Sequence, residues 1–430
     1  MRRYESYKDS GVEWLGEVPS HWGLTIGMNV FRENKRDNKG MKEKTVLSLS
    51  YGQIIIKPEE KLVGLIPESF ETYQIVEPND IIIRCTDLQN DQTSLRTGLA
   101  KDKGIITSAY LNLKVINNHS AKFLHYYLHT LDITKVLYKF GSGLRQNLSF
   151  LDFKRLPIID IPLSEQQKIS QFLDDKTAKI DQAVDLAEKQ IALLKEHKQI
   201  LIQNAVTRGL NSDVPLKDSG VEWIGQVPEH WEVKKLKYLA KLSPSKSEIT
   251  CNHEESCSFI PMEKLKLNTL VLDEIKQIKN VYSAYTYFRD EDLLIAKVTP
   301  CFENKNFAIA KNLVNSIGFG SSEIYVLRTY NNLLNKFLFY RLQEQNFMEI
   351  AISKMSGTGG LKRVPSEFIN NFQLALPPFC EQQKIADYLD KQTAKIDQAI
   401  ALKTAHIEKL KEYKSVLVND VVTGKVRVSV

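Results

Sequence analysis

The chain has 430 residues, with 58 Lys and Arg against 52 Asp and Glu for a formal net charge of +6. At roughly 150 residues per domain this length asks for two to four units, and a composition of 43% apolar and 26% charged residues excludes wholesale disorder. A charge of +6 permits a polyanionic partner without demanding one. The opening residues lack the apolar core of a signal peptide, and no run approaches the roughly 18 apolar residues of a membrane span, so no membrane association and a cytoplasmic location are expected. Five scattered cysteines (Cys85, Cys251, Cys257, Cys301 and Cys380) fit a reducing compartment without disulfides.

In chain order, the first recognisable block is KDSGVEWLGEVPSHW at residues 8–22. A β-rich insert follows, with short apolar runs at Gln53-Ile-Ile-Ile, Asp80-Ile-Ile-Ile and Tyr110 to Val115, then a predicted helix over Phe123 to Leu131 and a glycine loop at 141–147. Pro162-Leu-Ser-Glu-Gln-Gln167 reads as a capping box with Ser164 as N-cap and Gln167 at N3, opening a long helix. Ile169, Leu173, Ile180, Val184, Ala187, Ile191, Leu194, Leu201 and Ala205 recur at steps of three and four along it, and roughly 40 residues at 1.5 Å each make it about 60 Å long. Thr207-Arg-Gly209 stops it, because glycine readily takes the left-handed conformation that ends a helix, and residues 210–215 form a linker.

The order then repeats. Residues 217–231 match 8–22 at twelve of fifteen positions, and 381–399 match 165–183 at fourteen of nineteen. Between them lie strand-like runs at Leu293 to Ala296 and Glu323 to Leu327, a single predicted helix over Lys336 to Glu349 and a second glycine loop at 357–360. The second long helix carries Ile385, Leu389, Ile396, Ile400, Ile407, Leu410, Leu417 and Val421 on one stripe, and Cys380 stands where the first copy has Ser164. A period near 210 residues is far too long for a solenoid, so the chain is a duplicated unit of variable insert plus constant helix. The expected fold is α+β: residues 1–155, a first mixed insert; 156–210, the first helix; 211–372, linker and second insert; 373–430, the second helix. If the helices pair antiparallel, the direct repeat acquires a pseudo-two-fold relation, as in DNA readers that place two modules about one helical turn apart.

The paired KDSGVEW and EQQKI…TAKIDQA blocks, with Ala296-Lys-Val-Thr-Pro-Cys-Phe-Glu-Asn304 in the second insert, resemble the specificity subunits of type I restriction-modification systems, the HsdS family. The resemblance spans essentially the whole chain. It implies two target-recognition domains joined by two helices in an antiparallel coiled coil, each domain reading one half of a bipartite site in double-stranded DNA. It also implies a chain without catalysis or cofactors of its own. S-adenosylmethionine, ATP and Mg would then reside on the partners, which are two modification (methyltransferase) subunits and the restriction subunits.

The motifs agree with that implication. Leu376-Pro-Pro-Phe379 lacks the polar first residue of an adenine methyltransferase loop, and no phosphate-cradling G-x-x-x-x-G-K-[ST] loop occurs. Asp292 with Glu303 and Lys305 only faintly suggests a nuclease, Cys251, His253 and Cys257 make at most half a zinc site, and His125 and His129 lack the glutamate of a zinc-protease helix.

Readout needs forked donors and acceptors, Arg or Lys toward guanine and Asn or Gln toward adenine. The candidate DNA-binding residues are therefore the basic and amide side chains of the insert loops: Arg84, Gln89, Asn90, Arg96, Arg145 and Gln146 in the first copy, and Lys297, Asn304, Lys305, Lys362 and Arg363 in the second. Trp14, Trp22, Trp223 and Trp231 lie in the constant blocks, where packing is favoured over base stacking. A coiled-coil scaffold bridging proteins without DNA is the competing reading.

Overall fold

The computed structural model describes residues 2–428 except 59, 61–68, 91–94, 141–146 and 359. Two compact units partition the chain: one formed by residues 1–187 together with 404–430, the other by 188–403. Both long helices, α3 (Leu163–Arg208) and α7 (Phe379–Val422), contribute to both units. Among the described residues no helix is long and apolar enough to cross a membrane.

In unit 1 the central sheet is antiparallel, in the order β1 (Phe31–Glu33), β6 (Leu111–Val115), β4 (Ile81–Ile83), β5 (Thr97–Leu99). A hairpin, β2 (Leu47–Ser50) with β3 (Gln53–Ile56), stands beside it. The all-isoleucine strand β4 is buried throughout, as an interior strand covered on both faces must be. Helix α1 (Ala121–Ile133) packs Phe123, Leu124, Tyr127, Leu128 and Leu131 into the same core, and a short α2 (Phe150–Arg155) precedes a strand at Pro157–Asp160 that pairs with Gly23–Ile26.

Unit 2 rebuilds this plan, with its sheet ordered β7 (Ala240–Leu242), β10 (Ile324–Thr329), β8 (Leu293–Ala296), β9 (Phe307–Ile309), and Glu232–Lys235 paired with Gln373–Leu376. Helices α4 (Asn335–Arg341), α5 (Gln345–Ser353) and α6 (Ser366–Asn371) follow. The aspartate before each buried strand is a turn anchor: Asp80 accepts from the Glu77 amide and Asp292 from the Arg289 amide, both at 2.9 Å.

Two local expectations change. Helix α3 begins at Leu163, with the Pro162 carbonyl accepting from the amides of Glu165 and Gln166, and α7 begins likewise after Pro378. Ser164 is exposed within the first turn and is not the cap, so Cys380 replaces it without loss. The expected single helix over Lys336 to Glu349 is two helices. At the break Glu344 turns extended (φ −61°, ψ 146°), and its carboxylate meets the Arg341 guanidinium, which lies 5.6 Å from the Trp223 ring and 5.5 Å from the Phe372 ring.

The constant blocks are explained by packing. Trp22 and Trp231 are fully buried, and each donates its indole N–H to the glutamate that opens a long helix, Glu165 at 3.1 Å and Glu381 at 3.2 Å. The histidine beside each tryptophan reaches the other carboxylate oxygen of the same glutamate. Trp14 lies 5.9 Å from Tyr127, and Trp223 stacks on Phe372 at 4.6 Å. Gly424, at φ +78°, ends α7 where a β-carbon would come within 2.4 Å of Pro19, so only glycine fits there.

The helices pair antiparallel within each unit. In unit 2 Lys198 meets Asp397 at 2.6 Å and Gln190 meets Lys403 at 2.6 Å, so residue numbers run in opposite senses. In unit 1 Asp181 meets Lys414 at 2.6 Å, and Ile169, Leu173, Ile180, Leu417, Val418, Val421 and Val422 join one core.

Candidate nucleic-acid interface

A recognition surface needs polar side chains held outward on a backbone that cannot shift, because a fork displaced by an ångström no longer matches a base edge. Each unit offers one place of this kind, where the loop after the innermost sheet strand meets the loop before the short helix.

In unit 2 the loop after β8 and the loop before α6 are zipped together. The Thr299 amide donates to the Lys362 carbonyl at 2.9 Å and the Val364 amide to the Lys297 carbonyl at 2.9 Å, while Ser356 and Arg363 exchange backbone bonds at 3.1 and 2.8 Å. Lys297, Lys362 and Arg363 are thereby brought side by side. Arg363 is 45% exposed and forks onto Glu323, with Nε to Oε2 at 2.9 Å and Nη2 to Oε1 at 3.0 Å. The guanidinium holds the Glu323 carboxyl below its ordinary range, so it stays ionised. Lys297 donates its amide to the Glu323 carbonyl at 2.9 Å, and its ammonium sits 5.2 Å from the Tyr325 ring centroid. Tyr325 in turn donates to the Val364 carbonyl at 2.9 Å. Lys362 and Asn304 are exposed.

Lys305 does not join them. Its ammonium is tied to Gln199 Oε1 at 2.8 Å and to the Gln343 carbonyl at 2.7 Å, and burial draws its pKa below the usual lysine range. It anchors the loop to α3.

In unit 1 the matching loops meet through Asn147, whose side-chain oxygen accepts from the Asp87 amide at 2.9 Å, and through the Leu148 amide bonded to the Cys85 carbonyl at 2.9 Å. Gln89 and Asn90 are exposed there, Asn90 donating to Asp87 at 2.8 Å, and Arg84 is half-buried. Arg96 is placed otherwise: it is fully buried, and its guanidinium donates to the carbonyls of Arg84, Thr86 and Asp87 at 3.3, 2.7 and 3.2 Å and to the Tyr138 hydroxyl at 3.1 Å. It holds the loop from beneath. Arg145 and Gln146 lie outside the described residues.

Glu323 was not legible as a site residue, because an acid at the mouth of a strand carries no motif. Among the described residues the alternative chemistries find no assembled site. Asp292 is occupied by Arg328 at 2.7 and 2.6 Å and Lys305 points to α3, so the nuclease-like set does not come together. Among the described residues no three His, Cys, Asp or Glu side chains converge as metal ligands. His125 and His129 stack at 6.1 Å between ring centroids, with His125 Nε2 and His129 Nδ1 lacking partners; burial lowers both pKa values to about 4.

The sequence pattern of the type I restriction modification DNA specificity domain matches residues 29–195 and 228–412. The chain is 38% identical over 163 residues to the type I restriction enzyme EcoAI specificity subunit of Escherichia coli, covering 37% of this chain and 27% of that protein. It is 34% identical over 176 residues to the EcoEI specificity subunit of the same organism, covering 40% and 29%. These alignments thus span under a third of each E. coli protein. With the MjaVIII specificity subunit of Methanocaldococcus jannaschii it shares 24% identity over 82% of this chain and 80% of the other. Among solved structures, a chain of a type I R-M system superposes with a TM-score of 0.66 at 15% identity, covering 95% of this chain and 99% of that one. The HsdS subunit from Thermoanaerobacter tengcongensis gives 0.54 at 17%, covering 95% and 98%. A twice-matched domain, on a twice-built frame whose paired loops differ between copies, means that this chain belongs to the type I restriction modification DNA specificity family.

Proposed function

We propose that this chain is the DNA sequence-specificity subunit of a type I restriction-modification complex, each unit reading one half of a bipartite, gapped site. The observation that carries the reading is the contrast between frame and loops. The Trp–Glu clasps, turn aspartates and helix seams recur in both units, while the zipped loops present Gln89 and Asn90 in one and Lys297, Lys362 and Arg363 in the other. One scaffold offering two unlike polar surfaces suits two unlike half-sites, since base edges are told apart by donor and acceptor pattern. On this reading the chain is non-catalytic and acts in the cytoplasm. Two modification subunits supply S-adenosylmethionine-dependent adenine methylation, and restriction subunits supply ATP- and Mg-dependent cleavage.

The test is co-expression with the neighbouring modification subunit in a host lacking DNA methylation, followed by genome-wide mapping of modified adenines. A gapped two-part motif is the expected result. A complex that assembles yet marks no motif overturns the reading and leaves a protein scaffold in its place.

A further inference from the structure

Resting on the specificity reading just given, we infer that Arg363, buttressed by Glu323, reads a guanine in the half-site served by unit 2. A guanidinium carries five N–H donors in a rigid plane. Glu323 engages two of them, Nε–H and one on Nη2, and among the described residues the other three have no partner. What remains unengaged on this 45% exposed side chain is the Nη1–Nη2 edge, whose parallel donors match the O6 and N7 acceptors that guanine alone presents in the major groove.

Two further features separate this arginine from an ordinary surface charge. Its backbone is clamped from both sides by the paired bonds to Ser356 and by the bridge to Val298, so little freedom remains to be lost on binding. Its planar head is fixed by a bidentate carboxylate rather than left to swing. Glu323 is therefore a positioning residue, itself set by the Lys297 amide bonded to its carbonyl. Unit 1 has Asn147 where register with the strand before α3 would place Arg363, and Asn147 is turned to the Asp87 amide instead. At this matched position, the guanidinium belongs to unit 2 alone.

The experiment uses the complex with its modification subunit, and duplexes carrying the mapped gapped motif with each base pair changed in turn. Wild-type complex is expected to require a G·C pair at one position of one half-site. Arg363→Ala is expected to lose discrimination there by roughly 5- to 150-fold, the worth of a bidentate base contact, with the other half-site read as before. Arg363→Lys keeps the charge but not the fork and is expected to relax the same position; it decides the matter should the alanine variant fail to assemble. Glu323→Gln is expected to relax it partially without changing the salt dependence. Uniform weakening at all sequences, with a shallower salt slope, would make Arg363 a phosphate contact and overturn the inference. So would a motif without a G·C pair at any position sensitive to Arg363. Absence of any motif with wild-type protein refutes instead the specificity reading beneath it.

Discussion

Arg96 and Arg363 are the same residue type in comparable loops, and their surroundings give them opposite tasks. Arg96→Ala would remove a fully enclosed side chain together with the bonds it donates to the Arg84, Thr86 and Asp87 carbonyls, a loss of about 3–5 kcal/mol. Thermal unfolding should show unit 1 melting early; a variant that melts normally and merely binds DNA less well would contradict the structural role. Sequence could not separate the two, because a loop arginine carries no mark of the direction in which it points. The stacked histidines set a pH dependence of known sign. Their folded pKa values of about 4 lie below the ordinary 6.5, since burial penalises the cation, so the unfolded chain binds protons first and stability falls as pH drops from about 6.5 toward 4. The charged groups around them are Asp174, Lys101 and Lys414. Replacing the pair by the residues at the matching positions of the second copy, His125→Phe with His129→Gln, should flatten the decline in melting temperature over that window.

At the scale of elements, the repeated EQQ triplet resolves into separate jobs. Glu165 and Glu381 clasp the tryptophan–histidine pairs, while the buried Gln166 and Gln382 each accept from an amide at the head of α1 or α4, Ser120 or Leu334, both at 2.8 Å. Each glutamine also donates to the carbonyl of a residue just before its own helix. Gln166→Ala should cost unit 1 about 1–3 kcal/mol, and Gln382→Ala the same in unit 2. Because the two sites share no partners, calorimetry of the double variant should show the losses adding. This is why the constant blocks were so legible: side chains fixed by geometry on both partners cannot drift, and the two copies preserved the same solution. The a/d stripes were read for the same reason. The helix starts two residues earlier than the sequence suggests because Ser164 has the chemistry of a cap and Pro162 the position. The break in the second insert is hidden in the sequence because Arg341 and Glu344, charged residues three apart, look like a solvated helix face until Trp223 and Phe372 flank the guanidinium.

For the molecule as a whole, DNA binding through several phosphates must be electrostatic. If the complex makes 6–10 such contacts, affinity for its site should fall by roughly 10³- to 10⁵-fold between 50 and 200 mM salt. Titration by fluorescence anisotropy checks this, and a flat response would favour the scaffold. Exchanging the first insert for that of a relative, with the junction at Pro162 before α3, should rewrite one half-site and spare the other. The division of the chain also imposes an order in time. Unit 2 is one uninterrupted stretch and completes as soon as Lys403 has emerged, whereas unit 1 awaits Leu417, Val418, Val421 and Val422. While residues 188–403 are being made, at about 5–20 residues per second, Ile169, Leu173 and Ile180 lack the cover of the second helix for roughly 10 to 40 seconds. The seam that later closes unit 1 is, for that interval, an apolar stripe open to strangers, and a hurried or chaperone-poor host would meet it in that state.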